Sequence, residues 1–97
     1  MNGMEIGKAD VVVSLAGRDR GKLFFVIEAD EAFVTIADGK GRKLEHPKRK
    51  KRKHVQRVSV NAERVQEKLL SGGKVLNSEL RRELAIAGQA LESQEGD

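Results

Sequence analysis

The chain has no cysteine, tryptophan or tyrosine, one proline and two histidines. Without cysteine there is no disulfide framework, no thiolate metal site and no thiol nucleophile. Phe24, Phe25 and Phe33 are the whole aromatic complement, and all three sit in strand-like runs. An aromatic platform for stacking single-stranded bases is therefore not expected. No apolar run is long enough to cross a membrane, and Met1 to Asp10 lacks the apolar stretch of a signal peptide, so a cytoplasmic protein is expected. His46 and His54 have no Cys or further His beside them, which argues against a metal site. Ser14 has no His near it in sequence, and no other catalytic constellation is visible, so neither an enzyme nor a cofactor is expected.

What the chain does have is positive charge in one place. Its formal net charge is +4 over 97 residues. Residues 1–39 carry four cations against seven acids, a net −3, and residues 58–97 carry five against seven, a net −2. Residues 40–57 carry ten cations against Glu45 alone, a net +9. Such a patch draws a polyanion to one part of the surface. Its centre is Lys48-Arg49-Lys50-Lys51-Arg52-Lys53, six adjacent cations expected to need solvent or a polyanion rather than a core. A solvated loop or a nuclear localisation signal has the same composition. With no aromatic in the run, contact with the phosphate backbone of a polyanion fits better than base stacking.

Around the patch the pattern is β, then α. Asp10 to Ala16, Leu23 to Ala29 and Phe33 to Ala37 are rich in β-branched and aromatic residues and bounded by turn formers. Asp30-Glu31 suits a hairpin, and Asp38-Gly39-Lys40-Gly41 a turn. A fourth strand is expected at Arg42 to Glu45 and a fifth over Val55 to Val60. Together they predict a small barrel across 1–60, with its basic segment at 40–57. The second strand is apolar on both sides, so something must cover its outer face. The obvious cover is a helical tail over 61–91. There Asn61 is placed to cap a helix carrying Ala62, Val65 and Leu69, ended by Ser71-Gly72-Gly73. Asn77 or Ser78 can cap a second short helix with a Leu80, Leu84, Ala87, Leu91 stripe. Glu92 to Asp97 has no apolar anchor and is expected to fray.

One loop carries more information than the rest. In Gly17-Arg18-Asp19-Arg20-Gly21-Lys22, two glycines bracket charged residues between strands. Gly21 is placed to hold a backbone conformation that other residues resist, and Asp19 to order its neighbours Arg18 and Arg20. The spacing is not that of a P-loop. On physics alone an ordinary hairpin loop fits as well. Val11 to Asp38, centred on this loop, resembles a KOW motif, and Gly21 matches its fixed glycine. The continuation through Ala37-Asp38-Gly39 and the basic stretch to His54 is similar to the fourteen-e family of large-subunit ribosomal proteins and its small bacterial relatives. The resemblance covers roughly Glu5 to Gln56.

The resemblance implies an SH3-like barrel that binds RNA, usually ribosomal RNA. By it Gly17, Arg18, Arg20 and Lys22 are candidate RNA contacts and Gly21 is structural. Arg42, Lys43, Lys48, Arg49, Lys50, Lys51, Arg52, Lys53 and His54 complete the candidate surface, with ribosomal or transcription proteins as further possible partners. Charge alone licenses only a polyanion ligand. The alternative is a KOW-type module that docks protein in a transcription or translation complex, for which the two-sided second strand is suited.

Overall fold

Runs of Val, Ile and Phe lose little by being extended and gain by packing on both faces of a sheet. They form the first three strands of the protein, whose computed structural model describes the backbone of residues 5–95 and side chains through Glu92. The strands are β1 (Val11–Ser14), β2 (Leu23–Ala29) and β3 (Phe33–Ala37). Asp30 closes the β2–β3 turn, its Oδ1 accepting from the N–H groups of Ala32 and Phe33 at 3.0 and 2.8 Å.

The fourth strand is not where the sequence reading puts it. Arg42 to Glu45 belongs to an irregular turn, and β4 is Lys48–Lys51, inside the cationic run. A single 3-10 turn at Arg52–His54 leads to β5 (Val55–Arg57), shorter than the Val55 to Val60 expected. All five strands form one antiparallel sheet in the order β4-β3-β2-β1-β5. The chain therefore passes from one edge of the sheet to the other between Lys51 and Val55. That link reaches roughly 14 Å at most, while the edges of a flat five-stranded sheet lie roughly 19 Å apart. The sheet must curl until its edges approach. A bulge between Val26 and Glu28, where β2 carries one residue more than β3, adds twist in the same sense.

Curling gives the sheet two apolar faces with different partners. On one, Val12, Phe24, Val26, Val34, Ile36 and Val55 pack together with Ile6. On the other, Val11, Phe25 and Ala37 are buried under α1 (Glu63–Ser71) and α2 (Asn77–Glu95) through Val65, Leu69, Leu80 and Leu84. Burying a side chain such as Phe25 contributes about 1.5–3 kcal/mol. The helices thus cover β2, as its two-sided pattern required.

The helix ends depart from expectation. Asn61 lies one residue early, and its Oδ1 accepts from Glu63 N–H at a long 3.4 Å. Gly72 ends α1 at φ +80°. The second helix is not short: it has 19 residues and runs past Leu91 to Glu95, while Gly96 and Asp97 lie outside the described residues. Leu76, rather than Asn77 or Ser78, precedes its first turn, and the Glu79 carboxylate accepts the Leu76 N–H at 2.9 Å, half of a capping box. Lys68 of α1 and that N–H together hold the Glu79 carboxyl below its ordinary pKa.

Asn77 is thereby free to clamp α2 onto the sheet. Its Oδ1 accepts from Leu44 N–H at 2.8 Å and its Nδ2 donates to Glu45 Oε1 at 2.9 Å, which lowers the Glu45 pKa. Arg81 donates to the Gly39 carbonyl at 2.7 Å. Gly39 has φ +78°, and a Cβ there would stand 2.2 Å from the Asn77 carbonyl oxygen. The helix seats only because that position is glycine. Among the described residues no helix is long and apolar enough to cross a membrane.

Candidate nucleic-acid interface

The loop between β1 and β2 is closed by its own backbone. Ser14 N–H donates to Lys22 O and Gly21 N–H to Ser14 O, at 3.0 and 2.8 Å. Gly21 sits at φ +85° with open space where a Cβ would be, so the backbone angle alone explains the glycine. Arg18, Arg20 and Lys22 are all exposed on this frame.

Asp19 does not order its two neighbours. It turns inward, only 7% exposed, and pairs with Arg42, whose Nε and Nη2 donate to its Oδ2 at 3.2 and 3.0 Å. A residue offered as an RNA contact, Arg42, is thus held as a structural partner. The pair ties the loop to the segment that leads into β4. Two more ties follow: Leu15 N–H donates to His54 O at 2.8 Å, and Lys50 Nζ to Ala16 O at 2.8 Å. The loop and the basic segment are therefore neighbours in space, although 23 residues separate Asp19 from Arg42.

The six-cation run is not a uniform solvated patch. As a strand it alternates faces. Lys48 and Lys50 pair with Ile36 and Val34 and share their face, while Arg49 and Lys51 pair with Thr35 and Phe33 on the other. Lys50 is only 9% exposed, which corrects the expectation that none of these cations packs inward. Its stem lies on the apolar side of the strand and its ammonium finds a carbonyl, the arrangement that makes a buried lysine tolerable.

Arg49 and Arg52 are also engaged. The Arg49 guanidinium lies 3.8 Å from the Phe33 ring centroid and pairs with Asp30 at 3.1 Å. Arg52 Nε donates to the Asp30 carbonyl at 2.7 Å. The Asp30 carboxyl is held below its ordinary pKa by the Phe33 and Ala32 N–H groups first, and by Arg49 after them. Lys43, Lys51 and Lys53 are exposed, and Lys48 and His54 half-buried.

Of the candidate set, then, Arg18, Arg20, Lys22, Lys43, Lys51 and Lys53 present exposed charge with no ion pair among the described residues, and Arg49 is exposed but paired with Asp30. Arg42 and Lys50 hold the loop, and Arg49 and Arg52 divide their hydrogen bonds with Asp30. Nothing in the local sequence marks Asp30 as the organiser of two arginines some twenty residues on, and the antiparallel pairing of β4 with β3 brings them together. No protein-family model and no curated protein matches this chain.

Proposed function

We propose that the chain is an RNA-binding protein of KOW type, built on an SH3-like barrel, and that it grips the phosphate backbone of structured RNA in a ribosomal or other translation-associated, cytoplasmic setting. The observation that carries this reading is the β1–β2 loop. Gly21 is fixed at positive φ, Arg18, Arg20 and Lys22 stand exposed, and Lys50, Arg42 and the His54 carbonyl tie the loop beside the basic segment. The short 3-10 link between the two edge strands supports the barrel. Exposed arginine forks and lysines at a rigid loop suit phosphate, and the absence of Trp and Tyr leaves backbone and shape as the features read.

The protein-docking alternative loses its main support, because the helices occupy the outer face of β2. What favours it now is the exposure of Leu70, Leu76 and Ile86, at 64, 50 and 49%.

The test is a salt titration of binding to a folded RNA. With Arg18, Arg20, Lys22, Lys43, Lys51 and Lys53 at phosphates, log affinity falls with log salt at a slope of about −4 to −5. Changing Arg18, Arg20 and Lys22 together to Gln flattens the slope by about 2 to 3. Unchanged affinity in that variant defeats the reading. Competition with duplex DNA separates RNA from a general polyanion, and in-cell crosslinking with sequencing of the bound nucleic acid names the target.

A further inference from the structure

The phosphate contacts leave one feature of the basic region without a role. Beside β5, at the open edge of the sheet, lies a groove of about 600 Å³. Ile6 and Val55, 8 and 5% exposed, lie at its base, and Arg52, Lys53 and Arg57 line it, Arg57 pairing with Asp10 at 3.6 Å. The volume falls within the range of roughly 300–1,000 Å³ typical of small-ligand sites. Long Arg and Lys stems bring methylenes to such a wall while their charged ends stay in water.

The backbone along the groove is also available. On β5 the hydrogen bonds to β1 run through alternate residues: His54 O accepts from Leu15 N–H and Val58 N–H donates to Val11 O, with Gln56 opposite Val13 between them. Arg57, opposite Val12, therefore turns its N–H and C=O away from β1. Among the described residues neither group has a partner. One donor and one acceptor stand side by side at the edge, with an apolar floor and three cations around them.

We infer that this groove takes a single unpaired nucleotide of the bound RNA. The base packs on the side-chain stems that line the groove above Ile6 and Val55, its hydrogen-bonding edge meets the Arg57 backbone, and its phosphate meets Lys53. This rests on the RNA-binding reading and adds to it a site for a base, which the phosphate contacts alone do not supply. An added peptide strand is the poorer occupant. β5 has three residues, and the outward N–H of its first, Val55, already donates to Arg52 O. A nucleotide needs only the one donor–acceptor pair.

The experiment compares two RNA hairpins of equal phosphate number, one fully paired and one with a bulged adenosine. The wild-type protein binds the bulged hairpin about tenfold more tightly, the gain expected from two hydrogen bonds and an apolar contact. Ser59→Trp, at an exposed residue lining the groove, brings the ratio close to one and leaves affinity for the paired hairpin within about twofold. In the wild type, the bulged hairpin alone shifts the amide resonances of Val55 to Ser59. That measurement, with Lys53→Gln lowering the ratio, decides the matter if Ser59→Trp does not fold.

Equal affinities in the wild type overturn the nucleotide site and leave the RNA reading standing. Failure to bind either hairpin defeats both. A preference that survives in folded Ser59→Trp overturns the location. An acidic peptide that shifts the same amides, with no preference between the hairpins, overturns the inference in favour of peptide docking.

Discussion

The chain has two basic segments, and the fold treats them in opposite ways. Residues 17–22 are held by backbone bonds and by a buried Asp19, so Arg18, Arg20 and Lys22 are left to solvent. Residues 48–53 hold more charge, yet the fold uses half of it: Lys50 props the loop, and Arg49 and Arg52 serve the Asp30 turn. Charge density in the sequence therefore overstates the second segment. Its cations divide according to the partner each one meets in the fold, the Ala16 carbonyl for Lys50 and Asp30 for Arg49 and Arg52, which a bare count of lysines cannot reveal.

The strongest way to break that comparison is to release the loop. Arg42→Ala leaves the Asp19 carboxylate inside without its partner. A fully buried pair broken this way costs about 3–5 kcal/mol, but Arg42 is about a third exposed, and solvent screening reduces the loss to about 1–3 kcal/mol. Chemical denaturation of Arg42→Ala, Asp19→Ala and the double variant gives the coupling directly. A coupling near zero would mean that the loop holds itself.

A smaller effect separates the two roles within the cationic run. Lys50→Met keeps an apolar stem of similar length and removes the bond to Ala16. Because Ala16 O also accepts from Ser14 Oγ, it is not orphaned, and the expected loss is about 1 kcal/mol. The slope of RNA affinity against salt stays as in the wild type. Lys51→Gln with Lys53→Gln should behave in reverse: stability moves by less than about 0.5 kcal/mol, and the slope flattens by roughly 1.5. If Lys50→Met flattens the slope as much, the division of labour fails.

These roles also mark the limit of what was legible. β2 and β3 were readable to the residue, because Val, Ile and Phe between turn formers have few alternatives. The cover over Phe25 could be expected from a strand apolar on both sides. β4 could not be: Lys48 to Lys51 has no apolar member, and its strand character comes from pairing with β3. Tertiary demand likewise overrode local propensity at Asn77, which binds Leu44 and Glu45 instead of capping its own helix. At the candidate site the exposed residues 18, 20 and 22 followed from the loop pattern. The Asp19–Arg42 pair did not, since Asp19 has two arginines nearer in sequence and the fold chooses a third.

The finest test concerns Asp30, which pairs with the exposed Arg49 over the Phe33 ring and so offsets part of its charge. Its carboxyl is held below the ordinary pKa, chiefly by the Phe33 and Ala32 N–H groups and then by Arg49. A carboxyl shifted this way stabilises the fold above its unfolded pKa, about 3.9 for Asp. It loses that contribution as acid titrates it through the lower folded value. Asp30→Asn keeps an oxygen for the two backbone bonds and removes the charge that pairs with Arg49. At neutral pH the variant should be slightly less stable than the wild type, and the gap should close as pH falls below about 3.9. Freed from its acid, Arg49 can reach phosphate, so RNA binding should strengthen and its salt slope steepen by less than about one. A gap that persists into acid, with an unchanged slope, would show that the Phe33 ring alone holds Arg49, and that the second basic segment gives up its charge to packing rather than to Asp30.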